Sequence, residues 1–236
     1  MLTAESTLGR FPSLPAVVVC LVFAGSAVVA SGPARAHPTR PVCHGVTATI
    51  VGSPDDDWLI GESGDDVILA GGGNDVVSGR SGDDRICGDG GDDTIEGGVG
   101  DDDIFGGDDD DTLSGGRGDD RIYGQVGNDS LAGNDGNDWL DGSWGTDTAT
   151  FAEASSSVWV ELAMASAIGD GSDTLTSLEN VVGSPFSDGL IGDRLANVLS
   201  GSGGSDVLIG GAGDDSCDGG AARDTSVACE WRSGIP

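Results

Sequence analysis

The sequence predicts an all-β solenoid, and three observations carry that prediction. Residues 52–150 divide into eleven consecutive nonapeptides with no insertion or deletion. Residue type is locked to phase: the sixth residue is Asp in all eleven, the first is Gly in ten and the fourth is Gly in nine. The eighth is aliphatic ten times and then Ala149. The same phase returns over 183–227 as five further nonapeptides. A fixed period with fixed chemistry at each position makes every nonapeptide one structural unit stacked on its neighbours.

Within a unit, positions 1 to 6 form a tight turn and positions 7 to 9 a very short strand. Glycine at positions 1 and 4 permits positive φ and close approach of neighbouring backbones. Asp55 and Asp109 replace glycine at position 4, and Asp tolerates left-handed backbone better than most residues. The strand triplet points its position-8 aliphatic inward and its two flanking residues outward. Consecutive nonapeptides lie on opposite faces, so a full coil takes eighteen residues.

The pattern G-G-x-G-x-D-x-U-x, with U a large aliphatic, resembles the RTX (haemolysin-type) calcium-binding repeat, here in a stand-alone secreted form. The resemblance implies a right-handed parallel β-roll (β-solenoid), with two thin sheets facing each other across the position-8 side chains. It also implies multiple Ca2+ ions between adjacent loops, held by position-6 carboxylates and by carbonyls of the glycine turns. Carried onto this chain, the ligands are Asp57, Asp66, Asp75, Asp84, Asp93, Asp102, Asp111, Asp120, Asp129, Asp138 and Asp147, followed by Asp188, Asp206, Asp215 and Asp224. Asn197 occupies the same phase without a charge, and Phe186, Leu195 and Ala222 stand where position 4 calls for glycine. Same-side neighbours number nine in the first tract and three in the second. Hard cations of this kind take six to eight oxygens. Position 5 is Asp or Asn in ten of the first eleven units; turn chemistry and outward solvation account for it better than a second ligand.

The remaining segments divide the chain as follows. Residues 1–36 read as a signal peptide: Arg10, the uncharged apolar run 16–30, and Ala34-Arg35-Ala36 as a cleavage site, so that the mature chain begins at His37. Residues 37–51 form an N-terminal cap before the tract 52–150. Residues 151–182 break the period. There Val158–Leu162 alternates like a strand, and Asp173–Gly183 resembles the connecting segment D-T-L-x-S-x-E-N-V-x-G of RTX proteins. Asp173 and Leu175 keep the D-x-U phase, as expected of an irregular coil that continues one solenoid. The second tract, 183–227, is followed by a C-terminal cap, 228–236. Outside the leader there are four cysteines, Cys43, Cys87, Cys217 and Cys229. An even number in an exported chain suggests two bridges with three pairings open. Cys43–Cys87 with Cys217–Cys229 would place one clamp near each end.

Charge narrows the functional classes. The chain carries 41 acidic and 10 basic residues, a net charge of −31, and no lysine. Nucleic acid is excluded as a partner, because phosphates require Lys and Arg; membrane insertion is not expected, and calcium ions are the natural partners. No H-E-x-x-H or G-x-S-x-G motif occurs, and no enzyme activity is expected. One aliphatic per nonapeptide buries too little apolar surface to offset the ordering of nine residues, so metal binding should supply folding free energy. The expected location is extracellular. Two outward columns at a spacing of eighteen are candidate contact surfaces for a protein, a glycan or ice: Val76, Thr94, Thr112, Ser130 and Thr148 on one face, and Leu69, Cys87, Phe105 and Tyr123 on the other.

Overall fold

The computed structural model describes residues 42–229 and 231–233. The signal peptide, its cleavage site and His37 lie outside the described residues. Two sheets contain nearly all of the strands, one of ten and one of twelve, and a short antiparallel hairpin pairs Val42–Cys43 with Val46–Thr47. Odd nonapeptides build the ten-stranded sheet and even ones the twelve-stranded sheet, with parallel pairing at a spacing of eighteen. Leu113 thus pairs with Ile95 and Leu131, and Ile122 with Ile104 and Leu140. This is the parallel β-roll with eighteen residues per coil.

The core is the column of position-8 side chains between the sheets. Ile68, Ile86, Ile104, Ile122, Leu131 and Leu140 are all fully buried. The column continues through Leu190, Leu199, Leu208 and Cys217 in the second tract. Each strand contributes one such residue because side chains alternate across a strand.

The strands of the first tract are longer than the three-residue strands read from the sequence. Nine of them, from Val67–Gly72 to Trp139–Trp144, have six residues and run on through positions 1 to 3 of the next nonapeptide. Position 1 therefore also faces inward, and glycine there leaves room for something else. Strands of the second tract, such as Val198–Ser200 and Val207–Ile209, keep three residues.

The segment that breaks the period is built into the twelve-stranded sheet. Trp159–Glu161, Ser166–Ile168 and Ser172–Thr176 form an antiparallel meander. Its last strand pairs in parallel with Trp139–Trp144 and its first with Gly189–Ile191. In the opposite sheet Thr148–Thr150 pairs directly with Asn180–Val182, which pairs with Val198–Ser200. Val160, Ala167, Leu175 and Val181 carry the core across the interruption.

Both disulfides join the expected partners, Cys43 with Cys87 and Cys217 with Cys229, at Cα separations of 5.8 and 5.9 Å. The first pins the hairpin onto the outer face of the twelve-stranded sheet. There the His44 ring stacks on Phe105 at 3.8 Å between centroids, and Phe105 on Tyr123 at 5.0 Å. The aromatic column read from the sequence as a contact stripe is thus largely engaged by the chain's own hairpin.

Candidate metal centre

The loops stack along the two edges of the roll, and position 6 forms one ladder on each. The carboxylate of each coil reaches back to the coil before it, so that Asp120 Oδ1 accepts the Asp102 N–H and Asp138 Oδ1 the Asp120 N–H, each at 2.8 Å. On the other edge Asp129 Oδ1 accepts the Asp111 N–H at 2.9 Å. Position 5 runs the opposite way: the Asp119 N–H donates to Asp101 Oδ1 at 2.9 Å, and the Asn137 N–H to Asp119 Oδ1 at 2.8 Å. Position-5 side chains are exposed and position-6 carboxylates from Asp75 to Asp147 are buried. Position 5 is thus a rung between coils made by short polar side chains, in keeping with turn chemistry.

The second oxygen of each position-6 carboxylate divides the loops into two kinds. In four of them the N–H of position 2 turns inward and donates to it. Ser53 donates to Asp57 Oδ2 at 2.5 Å, Glu62 to Asp66 Oδ2 at 2.8 Å and Ser184 to Asp188 Oδ2 at 2.7 Å, and Asp193 donates to Asn197 Oδ1 at 2.8 Å. These closed loops are the first two of each tract. In the twelve other loops position 2 has positive φ, even where it is not glycine: Arg80 at 78°, Asp89 at 76°, Gln125 at 82°, Asn134 at 71°, Ser143 at 70° and Ser202 at 65°. In these open loops the buried Oδ2 of Asp75, Asp84, Asp93, Asp102, Asp111, Asp120, Asp129, Asp138, Asp147, Asp206 and Asp224 meets no hydrogen-bond donor. Asp215 lies in a loop of the same backbone form, with Gly211 at 104°, and its Oδ1 accepts the Asn197 N–H at 2.9 Å. The number of open loops equals the number of same-side neighbour pairs counted in the sequence.

Position-1 glycine explains where Oδ2 goes. A Cβ on Gly88 would lie 2.2 Å from Asp93 Oδ2 and 2.4 Å from the Gly106 carbonyl oxygen of the next coil. At Gly79 the corresponding distances to Asp84 Oδ2 and the Gly97 oxygen are 2.4 and 2.6 Å. Glycine at position 1 therefore serves close approach, while positive φ falls at positions 2 and 4. Where the sequence predicts positive φ at positions 1 and 4, the structure places it at positions 2 and 4, on Arg80, Gln125 and Asn134 as well as on glycine.

Two acceptors converge with no donor between them, and one belongs to a buried carboxylate. Desolvation, opposed by the backbone hydrogen bond and reinforced by neighbouring carboxylates, raises Asp111 and Asp120 to about 8. The same causes raise Asp75, Asp102 and Asp138 to about 7, and Asp84, Asp93 and Asp147 to about 6. Buried unpaired acceptors of this kind are rare because they are costly, and a cation is the group that satisfies carboxylate and carbonyl together. Among the described residues no group of three or more His, Cys, Asp or Glu side chains gathers at one point. The donor set is accordingly one carboxylate with backbone carbonyls, which suits a hard cation and not zinc.

Two residues that sequence reasoning left out of the ligand set join the ladders. Asp173 Oδ1 accepts the Asp138 N–H at 3.1 Å, and Glu179 Oε2 accepts the Asp147 N–H at 2.9 Å. Residues 168–176 carry Gly171, Asp173 and Leu175 at positions 4, 6 and 8 of a nonapeptide, the D-x-U phase legible in the sequence, with Ile168 in place of glycine at position 1. Glu179 carries no signal in the sequence; the structure places it one residue before Asn180, which pairs with position-7 Thr148.

A parallel β-roll whose edges are lined with buried, donor-free carboxylates and glycine carbonyls defines a structural cation-binding solenoid. The family model for the RTX calcium-binding nonapeptide repeat matches residues 51–86, 78–113, 88–122, 114–149 and 191–225, more than half of the chain. The chain belongs to the RTX calcium-binding nonapeptide repeat family, whose repeats bind calcium. No curated protein matches the chain.

Proposed function

We propose that this is a secreted protein whose glycine and aspartate loops fold on binding extracellular calcium, with the position-6 aspartates of the open loops as ligands. The observation that carries the reading is the set of buried Oδ2 atoms without donors in the open loops. Secretion is supported by the leader-like sequence of residues 1–36 and by two disulfides, which persist in oxidising compartments. Among the described residues no helix is long and apolar enough to cross a membrane. The test is a calcium titration of the chelated, disulfide-bonded protein followed by circular dichroism. Induced β signal is expected, and a spectrum indifferent to calcium overturns the reading.

A second reading, a calcium-dependent contact module, draws on the meander. An open groove of about 390 Å³ is lined there by Trp159, Ile168 and Val207 among others, and all three are exposed apolar residues. The indole of Trp159 covers Gly189, where a Cβ would stand 2.3 Å from the ring. Binding to a glycan array in the presence and absence of calcium tests this reading; no binding in either state excludes glycans as its ligand.

A further inference from the structure

The last open loop of the first tract, 142–147, has no regular nonapeptide stacked beyond it on its edge. Its position-6 residue Asp147 is 1 % exposed, and its Oδ2 has no donor. In the regular stack the acceptors beside such an oxygen come from the next coil: the Gly97 carbonyl beside Asp84, the Gly106 carbonyl beside Asp93. Here the irregular segment supplies them. A Cβ on Gly142 would lie 2.2 Å from the Ser177 carbonyl oxygen and 2.4 Å from Asp147 Oδ2. Ser177 has φ 51°, a left-handed backbone that a non-glycine residue rarely adopts. Two residues on, half-buried Glu179 brings Oε2 to the Asp147 N–H at 2.9 Å, the place taken elsewhere by the next aspartate.

The geometry points to a calcium site closed by Ser177 and Glu179, at which the connecting segment supplies the terminal ligands of the first tract. This inference rests on the calcium-binding reading and adds a glutamate and a serine carbonyl from a segment that does not follow the repeat. The next residue in the ladder shows why the array stops there. Asn197 places an amide where an aspartate would stand, and its Nδ2 donates to the Glu179 carbonyl at 2.8 Å. Its Oδ1 is occupied by the Asp193 N–H. A donor thus fills the position that an open loop leaves to a cation, and the two tracts hold separate metal arrays on this edge.

The test uses the full disulfide-bonded protein, with terbium as a luminescent probe for calcium sites. Trp144 lies in the same loop as Asp147, so its indole sensitises terbium bound there. In wild type, Trp144→Phe should remove a distinct part of the tryptophan-excited emission, which calcium competes away. Glu179→Gln keeps an oxygen for the Asp147 N–H but loses the charge. It should lower bound calcium by one ion at equilibrium dialysis and make Trp144→Phe silent. Glu179→Asp should keep the ion with affinity weakened about tenfold, and circular dichroism of each variant with saturating calcium should match wild type. Unchanged stoichiometry in Glu179→Gln, with Trp144→Phe still costing emission, overturns the proposal while leaving calcium binding intact. Wild type that binds neither ion overturns the calcium reading itself. If Glu179→Gln is unfolded, Glu179→Asp decides: unchanged stoichiometry and affinity in that variant also overturns the proposal, because the reach of the carboxylate would then not matter to the ion.

Discussion

Asp120 divides its carboxylate between two tasks: Oδ1 accepts the N–H of Asp102 one coil earlier at 2.8 Å, and Oδ2 is buried with no donor at all. Half of the group is structural and half is left for a ligand. The first prediction concerns Asp102, which is placed in the same way. Asp102→Asn keeps an oxygen for the Asp84 N–H but removes the charge, and should weaken calcium binding at that coil about tenfold or more, roughly 1.4 kcal/mol. Asp66→Asn, in a closed loop already satisfied by Glu62, should change affinity far less. Calorimetric titration of both variants checks the contrast, and equal losses would show that the position-2 backbone does not decide ligation.

Removal of calcium should unfold the chain, and magnesium should replace it poorly, because magnesium demands octahedral geometry and retains its waters. Scattering and circular dichroism under chelator, then with each ion at millimolar concentration, provide the measurement.

Acid should partly replace the metal. Burial raises Asp75, Asp84, Asp93, Asp102, Asp111, Asp120, Asp138 and Asp147 from 3.8 to between about 6 and about 8, so the metal-free fold binds more protons than the unfolded chain. Their stabilisation is fully present below about pH 4 and is lost as pH rises through about 6 to 8. Chelated protein should therefore gain β signal as pH is lowered from 8 to below 6. Its calcium affinity should fall over the same interval, since protons and calcium compete for the same oxygens. A flat spectrum under chelator across this range would contradict the burial on which the prediction depends.

Two glycines in one loop offer a sharper contrast. Gly88→Ala drives a Cβ into Asp93 Oδ2 and the Gly106 carbonyl, whereas a Cβ on Gly90 meets nothing within 4 Å. Gly88→Ala should cost about 1–3 kcal/mol and raise the calcium needed for folding, with Gly90→Ala close to wild type. Thermal melts at fixed calcium would show the difference.

Reduction of the disulfides should raise the calcium required for folding without abolishing the transition. The bridges span 44 and 12 residues, for which chain entropy gives about 4 and about 3 kcal/mol. All four bridged residues lie outside the open loops, Cys217 in the core strand Ser216–Asp218. Peptide mapping of an unreduced digest reports the pairing directly.

The period, the inward column at position 8 and the alternation of sheets were legible in the sequence, because each depends on residue type at a fixed spacing. The position-6 ladder was legible for the same reason. The closed loops were not: Ser53 and Ser202 are both serine at position 2, and only the coil stacked before Ser202 turns its backbone left-handed. Glu179 was hidden because the connecting segment reaches the ladder after 32 residues instead of 18. The aromatic column was seen, but its partner was not, since nothing local to His44 announces a stack on Phe105.

The opposed directions of the two side-chain ladders give the roll a polarity in time. Position 5 of an existing coil offers an acceptor to the N–H of the coil that follows, and position 6 of the following coil completes the one already there. A chain delivered N-terminus first therefore meets half of its polar pairing ready-made and finishes the other half behind it. On that order of delivery, the position-6 rung of each coil would be completed only when the next coil arrives.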